Sequence, residues 1–233
     1  MTSARTKPDT PAAAVRGGVF SFLRRRREPL ILFDFDGVVV DSFDVHFSVF
    51  SEICAEMGFH KLNSPEAFLR LFDGNAIFQL IRSGFPVHRL RALAEQFRPR
   101  IEAACARIQP FPGMPEVLSE LARRHPVHMV TSNNTAHVED FAARHGITGL
   151  RSVVGADVEI SKIKKIRRIK RLEPGRRAWY IGDTLGDMRE TRRAFARPVA
   201  VAWGWHDLPR LRRGRPWAVV HTPEELLTLP WGE

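Results

Sequence analysis

The stretch "LILFDFDGVVVDS", residues 30–42, ends an apolar run with two aspartates, Asp34 and Asp36. Leu30 to Phe33 read as a buried strand, and burying a carboxylate is costly unless something offsets its charge. Residues two apart in an extended strand point to the same side. A strand read through 30–35 therefore delivers both carboxylates into one small volume. The apolar run argues against a surface turn.

Outward from this stretch the chain repeats a pattern. Short apolar runs at 127–132, 151–157, 178–183, 198–203 and 217–222 read as strands, and 115–125, 136–146 and 187–196 carry helical periodicity. Pro115 suits a first helical turn and Gly146 the position past a helix end. Alternating strands and helices predict an α/β fold, a Rossmann-like parallel sheet with helices on both faces. Residues 43–110 break the alternation and read as helices only, whereas a crossover needs one. The expected organisation is a basic, disordered tail over 1–28, a core over 29–41 and 111–233, and an inserted all-helical cap over 42–110.

Composition fits this picture. The chain has 233 residues, 44% of them hydrophobic, with 16 Phe and 5 Trp. That is enough for one sizeable core plus a smaller lobe. No apolar run reaches the roughly 18 to 20 residues that span a bilayer. Cys54 and Cys105 lie outside any metal-ligand spacing and share helical faces with apolar residues, which reads as packing in a reducing, cytoplasmic compartment. The net charge is +10, and half of it falls in residues 1–28. Arg24 to Arg27 could touch nucleic acid or an anionic membrane; a solvated basic tail is the favoured reading. The remaining charge favours anionic substrates.

Three polar clusters sit at predicted strand ends: "DFD", "TSNN" (131–134) and "GDTLGD" (182–187). In an open parallel sheet that edge binds ligands. Asp34, Asp36, Asp183 and Asp187 would then crowd together and repel unless a cation joined them. Carboxylates without Cys or His suit Mg²⁺. Lys162 adds a second cation, Thr131 and Ser132 add hydroxyls, and the turn after them adds backbone N–H groups at a helix start, a seat for phosphate. Together these groups describe phosphoryl transfer. The plainer readings make Asp183 a helix N-cap with Asp187 as first-turn acid, and "KIKKIRRIKR" (162–171) a solvated helix face.

The stretches "DFDGVVVDS", "TSNN", "SKIKK" and "GDTLGD" resemble, in order and spacing, the haloacid dehalogenase-like hydrolases, in particular their phosphoglycolate-phosphatase-like branch. "PFPGMPEVLSEL" (110–121) resembles that branch's return from a helical cap. The resemblance covers roughly residues 29–225. It implies a Mg²⁺-dependent phosphatase acting on a small phosphorylated metabolite through an aspartyl-phosphate. Asp34 would be the nucleophile. Asp36 would be the acid/base, its backbone carbonyl also on the metal. Asp183 would bind Mg²⁺, and Asp187 would act indirectly. Thr131, Ser132, Asn133 and Lys162 would hold the phosphoryl group, with Lys164 or Lys165 as alternative lysines. A phosphomutase of the same family, or an inactive regulatory or nucleic-acid-binding protein, are the rival readings. His46 reads as solvated, Asp73-Gly74-Asn75 as a cap turn that reaches the substrate, and "WGWHD" (203–207) as a loop packing the core edge.

Overall fold

The structure is a computed structural model that describes residues 28–104 and 107–232. The basic tail and Cys105 therefore lie outside the described residues, apart from Glu28 at the boundary. Six strands form one parallel sheet: β1 (Pro29–Phe33), β4 (Val127–Val130), β5 (Ser152–Val154), β6 (Arg177–Gly182), β7 (Arg197–Val201) and β8 (Ala218–Val220). Their order is β5-β4-β1-β6-β7-β8. The chain first builds leftward from β1 and then resumes on its right, so β1 sits at the switch in winding direction. In open α/β sheets the ligand crevice lies at such a switch.

Period-two alternation explains why β1 is apolar throughout. Ile31 and Phe33 face one side of the sheet with Met129, Trp179 and Ile181; Leu30 and Leu32 face the other with Val130, Ala178 and Tyr180. Helices α5 (Met114–Arg124) and α6 (Thr135–Arg144) cover the first face. The second is covered by α7 (Lys162–Leu172), and α8 (Leu185–Arg193) and α9 (Leu208–Arg212) pack beside it on β7. Every strand ends one to three residues before the sequence expectation, because hydrogen-bonded pairing stops where the chain turns away from the sheet edge. β1 ends at Phe33, so Asp34 and Asp36 lie beyond the ladder rather than in it. Phe35 stays buried although its backbone has left the sheet.

The helical lobe comprises α1 (Phe43–Glu56), α2 (Pro65–Arg70), α3 (Ala76–Arg82) and α4 (Leu90–Ala104). It buries its own apolar cluster around Phe50, Ile53, Phe68 and Phe85. Ser64 and Asn75 cap α2 and α3, each accepting a backbone N–H three residues on. Where the chain leaves the core and where it returns, β2 (Val40–Asp41) and β3 (Gln109–Pro110) pair antiparallel, Val40 opposite Pro110 and Asp41 opposite Gln109. Among the described residues no helix is long and apolar enough to cross a membrane.

Candidate active site

Three neighbouring strands, β4, β1 and β6, each release a functional side chain as the next residue: Thr131, Asp34 and Asp183. All three are buried. Asp34 Oδ1 accepts the Phe35 N–H at 2.8 Å, and Oδ2 accepts from Lys162 Nζ at 2.6 Å. Lys162 opens α7 and also donates to Asp187 Oδ1. Asp187 is the third residue of α8, where it forms a reciprocal capping box with Thr184; its Oδ2 takes the Thr184 hydroxyl at 2.7 Å and the Thr184 N–H at 3.0 Å. Asp183 is thus not the N-cap, and its carboxylate is left facing the site. It accepts the Trp205 N–H at 2.8 Å.

One oxygen from each of Asp34, Asp183 and Asp187 lies within 4.8 Å of the others. The electrostatics follow from burial. Asp34 is pushed up to about 7 by desolvation, aided by Asp187 and Asp36, while Lys162 pulls it down. Asp183 is driven well above the usual carboxylate range by burial, then by Asp187 and Asp34. Burial also pushes Asp187 up, but the Lys162 and Thr184 bonds outweigh it and hold it low. Burial disfavours the Lys162 ammonium, yet Asp187 and Asp34 more than compensate and raise it. Three buried carboxylates against one lysine form an all-oxygen donor set short of positive charge, which fits a hard divalent cation.

The Asp36 side chain stands outside this cluster. The expectation of two carboxylates on the same side of a strand is corrected here: the chain turns after β1, and Asp36 pairs only through an isolated bridge to Val40. Its Oδ2 accepts from Asn133 Nδ2 at 2.7 Å, so this asparagine, expected on phosphate, is engaged with Asp36. Asp36 Oδ1 is buried with no hydrogen bond, 3.6 Å from His46 Nε2. His46 Nδ1 must carry a proton, because it bonds the Ser42 carbonyl at 3.0 Å. His46 is buried rather than solvated, because α1 begins against this turn and Phe97 and Trp205 lie within 6.0 Å of its ring.

The Thr131 turn is tightly organised. Thr131 Oγ1 accepts the Asn133 N–H at 3.0 Å, and Asn134 caps α6. Ser132 is exposed at the mouth of a cleft of about 150 Å³. A molecule the size of benzene fits a cavity of that volume. Phe97, Arg98 and Ile101 of α4 line its cap side, and Ser132 and Asn133 line its core side. Of the alternative lysines, Lys164 is at the surface beside Glu159, whereas Lys165 is 1% exposed and donates to the Thr131 carbonyl.

Two features escaped the sequence reading. Trp205 inserts its ring among Phe43, Phe68 and Phe72 of the cap while its N–H holds Asp183. His206 Nδ1 accepts the Leu185 N–H at 3.0 Å, and its Nε2–H donates to Leu69 O at 2.9 Å. Gly37 at φ 72° lets the turn pass against Asp183, where a Cβ would fall 2.0 Å from Oδ2. The Asp73-Gly74-Asn75 turn is docked on the core rather than open to the cleft: Arg210 Nε donates to Asp73 Oδ1 at 2.6 Å, Arg189 donates to Asp73 O at 2.6 Å, and Asn75 caps α3.

A parallel sheet with carboxylates at the ends of two central strands, completed by Lys162 and Asp187 from the helices that follow, beside a helical lobe, is the framework of a hydrolase of phosphoric monoesters. The chain belongs to the haloacid dehalogenase-like hydrolases, whose family model matches residues 31–201. It is 28% identical over 205 residues to a phosphoglycolate phosphatase of Synechococcus elongatus, covering 84% of this chain and 94% of that one. Among solved structures it is similar to a haloacid dehalogenase-like family hydrolase from Streptococcus pneumoniae, with 24% identity and a TM-score of 0.73 over 88% of this chain and 99% of that one. A hydrolase from Pseudomonas syringae superposes at 22% identity and a TM-score of 0.67, over 86% and 97% of the two chains. At these identities the likeness to the two structures speaks for the fold.

Proposed function

We propose that this enzyme is a Mg²⁺-dependent phosphatase that hydrolyses a small phosphorylated metabolite of the phosphoglycolate kind through an aspartyl-phosphate on Asp34. The observation that carries this reading is the buried set of Asp34, Asp183 and Asp187 around Lys162. Likeness to the Synechococcus phosphatase supports the substrate class.

In this reading Asp34, Asp183 and the Asp36 backbone carbonyl would hold Mg²⁺, with Asp187 acting indirectly. When bound, the cation neutralises charge that develops on the transferring phosphoryl group. Asp34 attacks phosphorus and its new P–O bond replaces the bond to the leaving alcohol. The Phe35 N–H and Lys162 orient its carboxylate for that attack. Asp36 gives its proton to the leaving oxygen and then takes one from the water that hydrolyses the aspartyl-phosphate. Asn133 and His46 keep the Asp36 carboxyl in place between the two half-reactions. Thr131, the Ser132 N–H and Lys162 hold the non-bridging oxygens. The leaving group occupies the cleft against Phe97, Arg98 and Ile101, a volume suited to a few heavy atoms.

The test is release of inorganic phosphate from 4-nitrophenyl phosphate, phosphoglycolate and a panel of sugar and triose phosphates. Activity with Mg²⁺ that disappears in EDTA and returns on adding Mg²⁺ is expected, with small substrates preferred. Metal-independent turnover, or none on any phosphate ester, overturns the reading.

A further inference from the structure

Lys165 is the buried charge that the mechanism above leaves without a task. α7 carries Lys162, Lys165, Ile166 and Ile169 on the side turned to the core, one helical turn apart. Lys162 reaches the carboxylates; Lys165 goes instead to the Thr131 carbonyl. An ammonium is a costly way to satisfy one carbonyl, since a neutral donor would do so without taking a charge out of water.

The Thr131 carbonyl and the Ser132 N–H belong to one peptide group. A cation on the carbonyl oxygen draws electron density along the conjugated O–C–N unit, which makes the N–H at its other end a stronger donor. We infer that Lys165 is a positioning residue of the phosphate seat: its ammonium fixes and polarises the Thr131–Ser132 peptide, strengthening the Ser132 N–H that receives a phosphoryl oxygen. The inference rests on the phosphatase reading and deepens it, giving the seat a second cation that never touches the substrate.

A pH signature follows. The charged groups that act on Lys165 are Lys162 on its own helix, Asp34 after β1, and Asp157 and Glu159 after β5. Burial, then repulsion from Lys162, lowers its ammonium to about 8, against support from the three carboxylates. Lys165 is therefore cationic at neutral pH and loses its proton as pH rises through about 8. Substrate affinity weakens over that interval. Stability runs the other way. The unfolded chain binds more protons than the folded one between about 8 and the ordinary value of 10.5, so releasing the buried charge raises stability there.

The experiment compares full-length wild type with Lys165→Met, Lys165→Gln and Lys165→Arg. Two readouts are taken: kcat and KM for 4-nitrophenyl phosphate from pH 6 to 9.5, and affinity for inorganic phosphate from its stabilisation against heat. At pH 6.5, Lys165→Met and Lys165→Gln are expected to raise KM and the phosphate Kd roughly tenfold, the weight of one charge-assisted bond, with a smaller change in kcat. The wild-type rise in KM with an apparent pKa near 8 disappears in both. Lys165→Arg, which keeps its charge throughout this range, binds phosphate and shows no alkaline rise. A Lys165→Met protein that melts lower yet keeps the wild-type KM, phosphate affinity and pH profile assigns a merely structural role and overturns the inference. So does Lys165→Gln behaving as wild type, since a neutral donor would then suffice. If Lys165→Met does not fold, an unchanged alkaline rise in Lys165→Arg overturns it equally. A wild type that binds phosphate but turns over no ester sinks the phosphatase reading alone, and the phosphate affinities still judge Lys165.

Discussion

The carboxylate pocket and the joint between cap and core are both polar, and they are built on opposite plans. In the pocket, Asp34, Asp183 and Asp187 are buried, and two of them follow directly on sheet strands. Each is also held by backbone N–H groups: Phe35 on Asp34, Trp205 on Asp183 and Thr184 on Asp187. The joint relies on side chains. Arg210 spans from Asp73 to Glu66, which is 60% exposed, and His206 contributes a single bond to Leu69 O. Backbone-fixed carboxylates cannot relax away from their mutual repulsion, so they keep the site primed for a cation. A partly exposed pair such as Arg210 with Glu66 can be lost at little cost to the fold.

The contrast predicts a ranking of effects. Asp34→Asn is expected to lower kcat at least a thousandfold, in the range seen when nucleophiles are removed, while circular dichroism stays native. Retention of more than a few per cent of steady turnover in a clean preparation contradicts a covalent role for Asp34. Asp36→Asn should depress steady turnover nearly as far but allow attack on an ester with a good leaving group. Acid quench after mixing with 4-nitrophenyl phosphate should then catch a phosphorylated protein by mass spectrometry. Lys162→Met comes next, with kcat/KM down about a hundredfold, because Asp34 and Asp187 lose the lysine that pairs with both.

The joint sits at the small end. Arg210→Gln is expected to change kcat/KM by only about threefold and to lower Tm slightly, as a partly exposed pair does. A loss as large as that of Lys162→Met would erase the distinction between pocket and joint. The pair also has a pH dependence with a definite sign. Burial pushes the Asp73 carboxyl up, but the Arg210 bond and charge prevail and hold it below its ordinary 3.8. Its contribution is therefore complete above that value and vanishes as pH falls through the lowered one. The Tm gap between wild type and Arg210→Gln should be constant near neutrality and close only below about pH 4; a gap that closes already at pH 6 would point to a different partner.

Much of this was legible in the chain, for physical reasons that can be named. Fully apolar runs such as "LILF" announce strands buried on both faces, and the all-helical stretch stood out because it interrupts a regular alternation. Asp34, Asp36, Asp183 and Asp187 were readable as a group because the clusters that carry them, "DFD" and "GDTLGD", stand at the ends of predicted strands. What stayed hidden depends on packing between segments distant in sequence. His46 is buried by Trp205, a residue far along the chain from it. Arg210 captures Asp73 from another lobe, a pairing that no local pattern announces. Lys165 did carry a signal: it shares helical spacing with Ile166 and Ile169, the apolar side of an otherwise basic helix. Charge density over the run masked that periodicity.

The pairing of β2 with β3 makes the lobe a cassette. Its entry and exit cross a single doorway, with Asp41 directly opposite Gln109. A two-residue Asn-Gly link there would close the strands as an ordinary hairpin and leave the sheet uninterrupted. Since loop closure grows only slowly with length, inserts of very different size can occupy the same doorway at nearly equal entropic cost. One catalytic sheet can in this way be fitted with interchangeable covers, and substrate choice can diverge without a change at the strand ends.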